Sequence, residues 1–306
     1  LEQTQNGLRF KHKYAYYYFV AKYLADNMNL ESTRVLIRKL TDRLFNEEFA
    51  NIIMFLTHLE KDPFVFETVL DTSKNIFKDL EPAQFDEDIS VINRMVPEGF
   101  GKLVLEDKSV DEVRQEENRR KDAQMEIEDV EDLNGKDYGI DEDISNLDIL
   151  LRINRATRML NILGQMVKKY GGSLKAKQKL DLARETYDLG LRSVKVFFNE
   201  LGDDESILLG EIKEWLNKDE NVSELEIDEK AKEMAFGIYH LLSYSFVRKT
   251  SMAIGTEYLS TSFRKLIEEN PTNAYLLIDL SIKLDHFSDF PPNQVKDLKK
   301  KFSSNA

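Results

Sequence analysis

The sequence predicts an all-α protein, an irregular multi-helix array in two parts that are joined by an acidic linker. Apolar residues recur at steps of three and four along most of the chain, which is the period of a helix face. Residues that start or stop helices separate these runs. No stretch alternates apolar and polar residues clearly enough to indicate a sheet.

The first run is rich in aromatic residues and lies close to the start of the sequence. Steps of three and four place its apolar side chains along one helix face. That face contains Phe10, Tyr14, Tyr17, Ala21 and Leu24. A run this apolar needs neighbours, so we expect a helix over residues 10–24 that is packed on both sides.

Four further helices are predicted before the acidic linker. The first of them has Val35 and Leu36 in its apolar stripe, and the second is apolar nearly all round, which predicts a central position. Pro63 marks the start of the third, and Pro82 that of the fourth. The expected ranges are 31–44, 49–59, 64–77 and 82–95.

The acidic linker is predicted over residues 102–146. Between Glu106 and Asp143 there are 16 acidic and six basic residues, a net charge of −10 out of −13 for the whole chain. Such a segment buries little apolar surface against the entropy of ordering it. We expect a mobile linker, or a solvated helix with loops, and a specific acidic docking site is the alternative.

A further series of helices is predicted in the second part of the chain. The first two are long and amphipathic, with Leu150 among the core residues of the first, and Gly171-Gly172-Ser173 separates them as in an antiparallel helix pair. Met234 and Leu241 are expected to point inward from a later helix. The expected ranges are 147–170, 174–201, 207–216, 225–249, 251–269 and 272–287.

Composition excludes several classes of protein. The 306 residues include no cysteine, which excludes disulfides and thiol nucleophiles and is compatible with a cytoplasmic location. No apolar run reaches bilayer length, and the first residues do not resemble a secretion signal. A net charge of −13 argues against general binding to nucleic acid. The first residue is not Met, so we expect a fragment of a longer protein.

The sequence contains no recognisable catalytic constellation, so we expect no enzyme in this chain. Its Gly-Lys pairs are not followed by the Ser or Thr of a phosphate-binding loop, and no Gly-x-Ser-x-Gly motif is present. No two of the four histidines have the one-turn spacing of a metal site. His58 and His240 lie among aliphatic residues and are expected in the core or at its boundary.

Two basic clusters are candidate anion contacts. Lys175, Lys177 and Lys179 follow Gly171-Gly172-Ser173, which is compatible with an anion site but is more typical of a helix turn with a solvated edge. A second cluster is a candidate contact for an acidic partner, such as the chain's own linker. It comprises Arg152, Arg155, Arg158, Lys168 and Lys169.

The order of residues in the aromatic run resembles a known family segment. Phe-x-His, then an aromatic pair followed by x-Ala-x-x-Leu, is similar to the segment that closes the winged-helix domain of NACHT-type STAND NTPases. The residues that match are Phe10, His12, Tyr18, Phe19, Ala21 and Leu24. Tyrosines at 17 and 18 resemble bacterial members in particular. The stretch Arg155 to Gln165 also resembles C-terminal helical modules of bacterial STAND proteins.

This resemblance implies a regulatory role. The chain would comprise the end of a winged-helix-like segment (1–28), a helical arm (29–101), the linker (102–146) and a C-terminal helical domain (147–306). His12 would contact the β-phosphate of ADP, since a protonated imidazole can bond to phosphate. ATP, ADP and magnesium are implied for the parent protein, not for this chain.

The resemblance also implies partners. An upstream NTPase domain would be held inactive until the helical region binds a trigger protein, such as one from a phage, after which subunits form a homo-oligomer. Antiphage defence is the usual setting of such proteins. The alternative from another class is a self-contained all-helical adaptor or scaffold that binds a partner protein without any NTPase.

Overall fold

The computed structural model describes residues 2–4, 7–10, 12–86, 139–140, 144, 147–170, 172, 174–201, 205–217, 224–287, 295–296 and 300. The protein is all-α, as predicted, and its helices form an array around a shared core. The described helices are α1 (Lys13–Asp26), α2 (Glu31–Asp42), α3 (Glu47–Leu59), α4 (Pro63–Asn75), α5 (Ile149–Tyr170), α6 (Ala176–Leu201), α7 (Glu205–Leu216), α8 (Glu224–Ile254), α9 (Ser260–Glu269) and α10 (Asn273–His286).

A short hairpin precedes α1, although no sheet was expected. Strand β1 (Glu2–Thr4) pairs antiparallel with β2 (Gly7–Arg9), and Gln3 lies opposite Leu8. Three-residue strands are too short to show the alternation by which a strand is recognised in a sequence. The expectation was therefore wrong at this place, but the hairpin leaves the fold class unchanged.

Helices α3 and α4 begin where local chemistry favours a helix start. The Asn46 side chain accepts hydrogen bonds from the backbone N–H groups of Glu48 and Phe49 at the start of α3. Asp62 accepts from the Phe64 N–H, and Pro63 occupies the first turn of α4. The predicted central helix, α3, contacts α1, α2 and α5. Val35, expected in the stripe of α2, is instead exposed.

Helices on both sides of the predicted linker share one core. Helices α3 and α4 contact α5, and α4 also contacts α6. Arg155 on α5 donates to Asp42 on α2 over 3.2 Å, and the Tyr170 hydroxyl donates to the Glu60 carbonyl over 3.1 Å. Most of the predicted linker lies outside the described residues, and the predicted domain boundaries stay a prediction.

Helix α8 packs against both members of the α5–α6 pair through two glycines. A Cβ on Gly164 of α5 would lie 2.2 Å from the carbonyl oxygen of Ala253, and one on Gly190 of α6 would lie 2.0 Å from Thr250 Oγ1. Larger residues would separate the helices, since interiors are close-packed. The small residues therefore set the position of α8 on the pair.

Helix α8 continues through the predicted break near residue 250. It ends at Ile254, and the 3₁₀ turn Glu257–Leu259 follows before α9. Gly255 lies against the His286 ring, because a Cβ there would be 2.1 Å from His286 Cδ2. The expected boundary was wrong because Thr250 and Ser251 are helical: the Thr250 hydroxyl donates to the Phe246 carbonyl one turn earlier.

Residues 76–86, the strap, connect α4 to the rest of the array without helix or strand. A helix was predicted from Pro82 to Met95; residues 82–86 are not helical, and 87–95 lie outside the described residues. Phe77 and Phe85 are buried and have left-handed φ angles of 56° and 59°. This conformation costs about 1–3 kcal/mol for a residue other than glycine.

Tertiary contacts explain why the strap is not helical. The Ala83 N–H donates to the Leu191 carbonyl over 3.4 Å, and the Gln84 carbonyl accepts from the Ala274 N–H over 2.9 Å. These backbone groups therefore bond to α6 and α10 instead of to one another. Sequence periodicity contains no information about such partners.

Candidate functional site

One side of helix α1 packs against the rest of the protein. Tyr17, Ala21 and Leu24 are buried there, and α3 is the main helix contact of α1 within the described part of the chain. The Tyr16 hydroxyl donates to Glu48 Oε1 over 3.0 Å. These contacts hold the helix in a defined orientation.

The other side of α1 exposes large aromatic side chains. The exposed fractions are 53% for Tyr14, 38% for Tyr18, 55% for Phe19 and 61% for Tyr23. We call these four residues the aromatic face. The prediction that α1 is packed on both sides was wrong, and so was the inward position of Tyr14. Contiguous exposed apolar surface of this kind is typical of interaction sites.

The aromatic face is ordered by ring packing. Phe10 stacks on Phe19 with ring centroids 5.6 Å apart, and Tyr18 packs edge-on against Phe19 at 5.5 Å. Tyr18 also meets Phe55 of α3 at 6.1 Å. Because rigid aromatic side chains lose little entropy on binding, such a face is suited to contact another protein.

His12, the predicted nucleotide contact, lies immediately before α1. It occupies the N-cap position, its side chain is exposed, and it makes no capping hydrogen bond. The first turn of α1 contains no acidic residue, and Lys13 follows directly. The positive end of the helix dipole and an exposed imidazole that makes no capping bond are compatible with an anion at this end of α1. The phosphate contact itself stays a prediction.

His58 and His240 lie on α3 and α8, and each contacts neighbouring side chains. His58 of α3 is half-buried, and its Nδ1 is 2.9 Å from Lys169 Nζ of α5. His240, expected in the core or at its boundary, is exposed and stacks against Phe236 and Tyr244 of its own helix. Among the described residues no group of three or more His, Asp or Glu side chains could hold a metal ion.

Members of the predicted basic cluster on α5 contact other residues of the same chain. Arg155 reaches Asp42, and Lys168 donates to the Met252 carbonyl over 2.8 Å. The Arg152 guanidinium lies over the Phe77 ring, 5.2 Å from its centroid. These contacts tie α5 to its neighbours, so they do not support a site for an acidic partner. In the turn before α6, Gly171 and Ser173 lie outside the described residues.

A second exposed apolar surface lies on α8. Met234, Leu241 and Tyr244 are exposed, although Met234 and Leu241 were expected in the core. Leu150 of α5, another expected core residue, is also exposed. A helix stripe in a sequence does not distinguish side chains that face the core from those that face a partner.

The packing of α1 against the rest of the protein should become weaker at alkaline pH. Burial, and then the carboxylates of Glu47 and Glu48, raise the pKa of Tyr17 to about 12. The neutral phenol is thus favoured in the folded state, and its stabilisation is complete below pH 10 and lost as pH rises from 10 through 12. Denaturant unfolding at pH 9 and 11.5 should show a smaller loss of stability for Tyr17→Phe than for the wild type. Equal losses would contradict this role.

Within the described part of the chain, no helix is both long enough and apolar enough to cross a bilayer. No protein-family model, curated protein or solved structure matches the chain. The aromatic face and His12 are therefore interpreted from their own chemistry and from the resemblance of the residues around them.

Proposed function

We propose that this chain is the regulatory helical region of a bacterial STAND NTPase with NACHT-like relatives, and that it acts by contact with an upstream NTPase domain. The observation that carries the proposal is the aromatic face of α1, four exposed rings on a helix that begins beside His12. The residue pattern Phe10 to Leu24 supports the same assignment. The chain itself performs no chemical step.

The aromatic face fits a buried interface better than a solvent surface. Tyr and Phe are enriched at the cores of protein interfaces, where a few anchors supply most of the binding energy. Lys22 and Asp26 form an ion pair on the exposed side of the same helix, as expected for a polar rim. We infer that the upstream domain covers Tyr14, Phe19 and Tyr23 in the resting state.

The nucleotide would link this contact to regulation. His12 would donate a hydrogen bond to a phosphate of ADP held by the upstream domain, so that the resting state is stabilised from both sides of the interface. Binding of a trigger protein, such as one of phage origin, to the helical array would favour the other state and the homo-oligomer. Such a protein would act in the cytoplasm.

The His12→Ala variant of the parent protein should be more active at rest. Loss of the phosphate contact should raise basal NTPase activity or oligomer formation several-fold and speed the release of bound ADP. His240→Ala, which removes an exposed histidine on α8, is the matched control and should change neither property. Unchanged ADP retention and basal activity in His12→Ala would contradict the phosphate role.

Substitution of the aromatic face should weaken docking without unfolding the chain. For Phe19→Gln/Tyr23→Gln we expect the affinity for the upstream domain to fall by at least about thirtyfold, the effect of losing interface anchors. Global stability should change by less than about 1 kcal/mol, because both rings are largely exposed. Calorimetric titration and denaturant unfolding measure the two quantities.

The matched control for this substitution is Leu241→Gln/Tyr244→Gln, which removes similar exposed apolar surface from α8. It should leave docking intact. If the α8 variant loses the contact and the α1 variant keeps it, the proposed interface is contradicted.

The second candidate is a self-contained all-helical adaptor. The exposed residues Met234, Leu241 and Tyr244 favour it, because they offer a partner surface away from α1 on a helix at the centre of the array. The coding region upstream of Leu1 distinguishes the two candidates. A Gly-Lys-Ser/Thr phosphate loop encoded there supports the NTPase assignment, and a start codon directly before Leu1 contradicts it.

A further inference from the structure

The strap, residues 76–86, adds a small set of contacts to those that hold the two parts of the array together. Arg192 of α6 donates to the carbonyls of Ser73 and Ile76 over 3.1 and 3.2 Å, and so binds the end of α4. The Ala83 N–H donates back to the Leu191 carbonyl of the same helix. The strap is thus bonded to neighbouring residues of α6 at its start and again at Ala83.

The far end of the strap caps α10. The Ala274 N–H is one of the first amides of that helix, which have no partner inside the helix, and it donates to the Gln84 carbonyl over 2.9 Å. The Asn273 side-chain amide donates to the Phe85 carbonyl over 3.0 Å. Residues from the first part of the chain therefore complete a helix start in the second part.

Buried side chains stabilise the strap, but the backbone conformation of two of its residues is unfavourable. Ile76, Phe77, Ala83 and Phe85 are buried, which holds the strap on the array. The left-handed φ angles of Phe77 and Phe85 are unfavourable. Both residues could leave this conformation if the strap detached from the array. Backbone strain of this kind persists only where the surrounding contacts impose it, and it clusters at switch regions.

We propose that the strap is a releasable clasp, which detaches from α6 and uncaps α10 as one unit while the helices stay folded. Release would loosen the connection between α1–α4 and α5–α10, and so give the array two arrangements. The clasp is independent of the aromatic face, because neither its contacts nor its test involves α1.

Native-state hydrogen exchange of the full chain tests the clasp. The amides of Ala83 and Ala274 should exchange together, at least tenfold faster than the Ser193 amide in the interior of α6, with little dependence on low denaturant concentration. If both amides exchange at the rate and with the denaturant dependence of Ser193, the strap opens only on global unfolding and the proposal fails.

The Asn273→Ala variant gives a second test. It removes one bond from the strap and leaves the Thr272 side chain, which accepts from the Tyr275 N–H, to cap α10. We expect exchange at Ala83 and Ala274 to become about fivefold faster, and global unfolding to become more favourable by the same factor, because the bond is absent from both the detached and the unfolded state. No change at Ala83, whatever happens at Ser193, would show that the opening that exposes Ala83 leaves Asn273 bonded to Phe85, and would overturn the clasp as one unit.

The matched control is Asn75→Ala. Asn75 also donates its side-chain amide to a backbone carbonyl, that of Asp71 within α4, directly before the strap. It should leave exchange at Ala83 and Ala274 unchanged. An effect as large as that of Asn273→Ala would show that the strap responds to any nearby change, which contradicts a clasp held by its specific bonds.

Discussion

The Arg192→Met variant should be less stable than the wild type by about 3–5 kcal/mol. Arg192 donates to Glu185 over 2.7 Å, and both side chains are buried. Its removal leaves the Glu185 carboxylate without its cation, and the carbonyls of Ser73 and Ile76 lose their donor. Chemical denaturation followed by circular dichroism at pH 7 measures the loss.

Two controls separate the causes of this loss. Glu185→Met/Arg192→Met should recover part of the stability, because it leaves no unpaired buried charge. Asp26→Asn, which breaks the exposed pair with Lys22, should leave the stability nearly unchanged, because solvent screens the pair. A single Arg192→Met variant that is as stable as the double variant would contradict the assigned role of the buried pair.

The Gly164→Ala variant should lose about 1–3 kcal/mol of stability. The added Cβ would lie 2.2 Å from a backbone oxygen of α8, and no side-chain rotation can relieve that contact. The helices α5 and α8 would have to separate along their crossing. The clash should outweigh the gain in helix propensity, which is about 0.5–1 kcal/mol for Gly to Ala.

Substitutions at three glycines provide an ordered comparison. In Gly190→Ala the closest atom is Oγ1 of Thr250, a side-chain atom, so the loss should be smaller than at Gly164. In Gly237→Ala nothing lies within 4 Å of the new Cβ, so stability should rise by up to about 1 kcal/mol. Thermal or denaturant unfolding of the three variants should follow this order. A Gly164→Ala protein as stable as Gly237→Ala would contradict the close crossing.

Local chemistry explains why most helices could be predicted. Asn46, Asp62 and Pro63 act within one turn of their own position, so their effect on α3 and α4 can be inferred from neighbouring residues alone. The core residues of α6 follow from a clear period of three to four, and all of them are buried: Leu180, Ala183, Tyr187, Leu191, Val194 and Phe198.

Contacts between distant residues explain what could not be predicted. Pro82 resembles a helix start, but Ala83 bonds to Leu191, more than a hundred residues later. Tyr14 of the aromatic face was placed on the apolar stripe with Tyr17 because the two lie one turn apart, whereas only Tyr17 of this pair is buried. For the candidate site, the sequence predicted the aromatic helix but not which side of that helix is exposed, and the role of His12 stays a prediction.

Hydroxyl-radical footprinting of the aromatic face tests the proposed function most directly. We predict that Tyr14, Phe19 and Tyr23 are protected in the ADP-bound parent protein and react in the isolated chain, with Tyr258 as an exposed reference in both. Protection should decrease when the trigger or ATP converts the parent to its active state. Equal reactivity of the three rings in the parent and in the isolated chain would contradict an interface on α1.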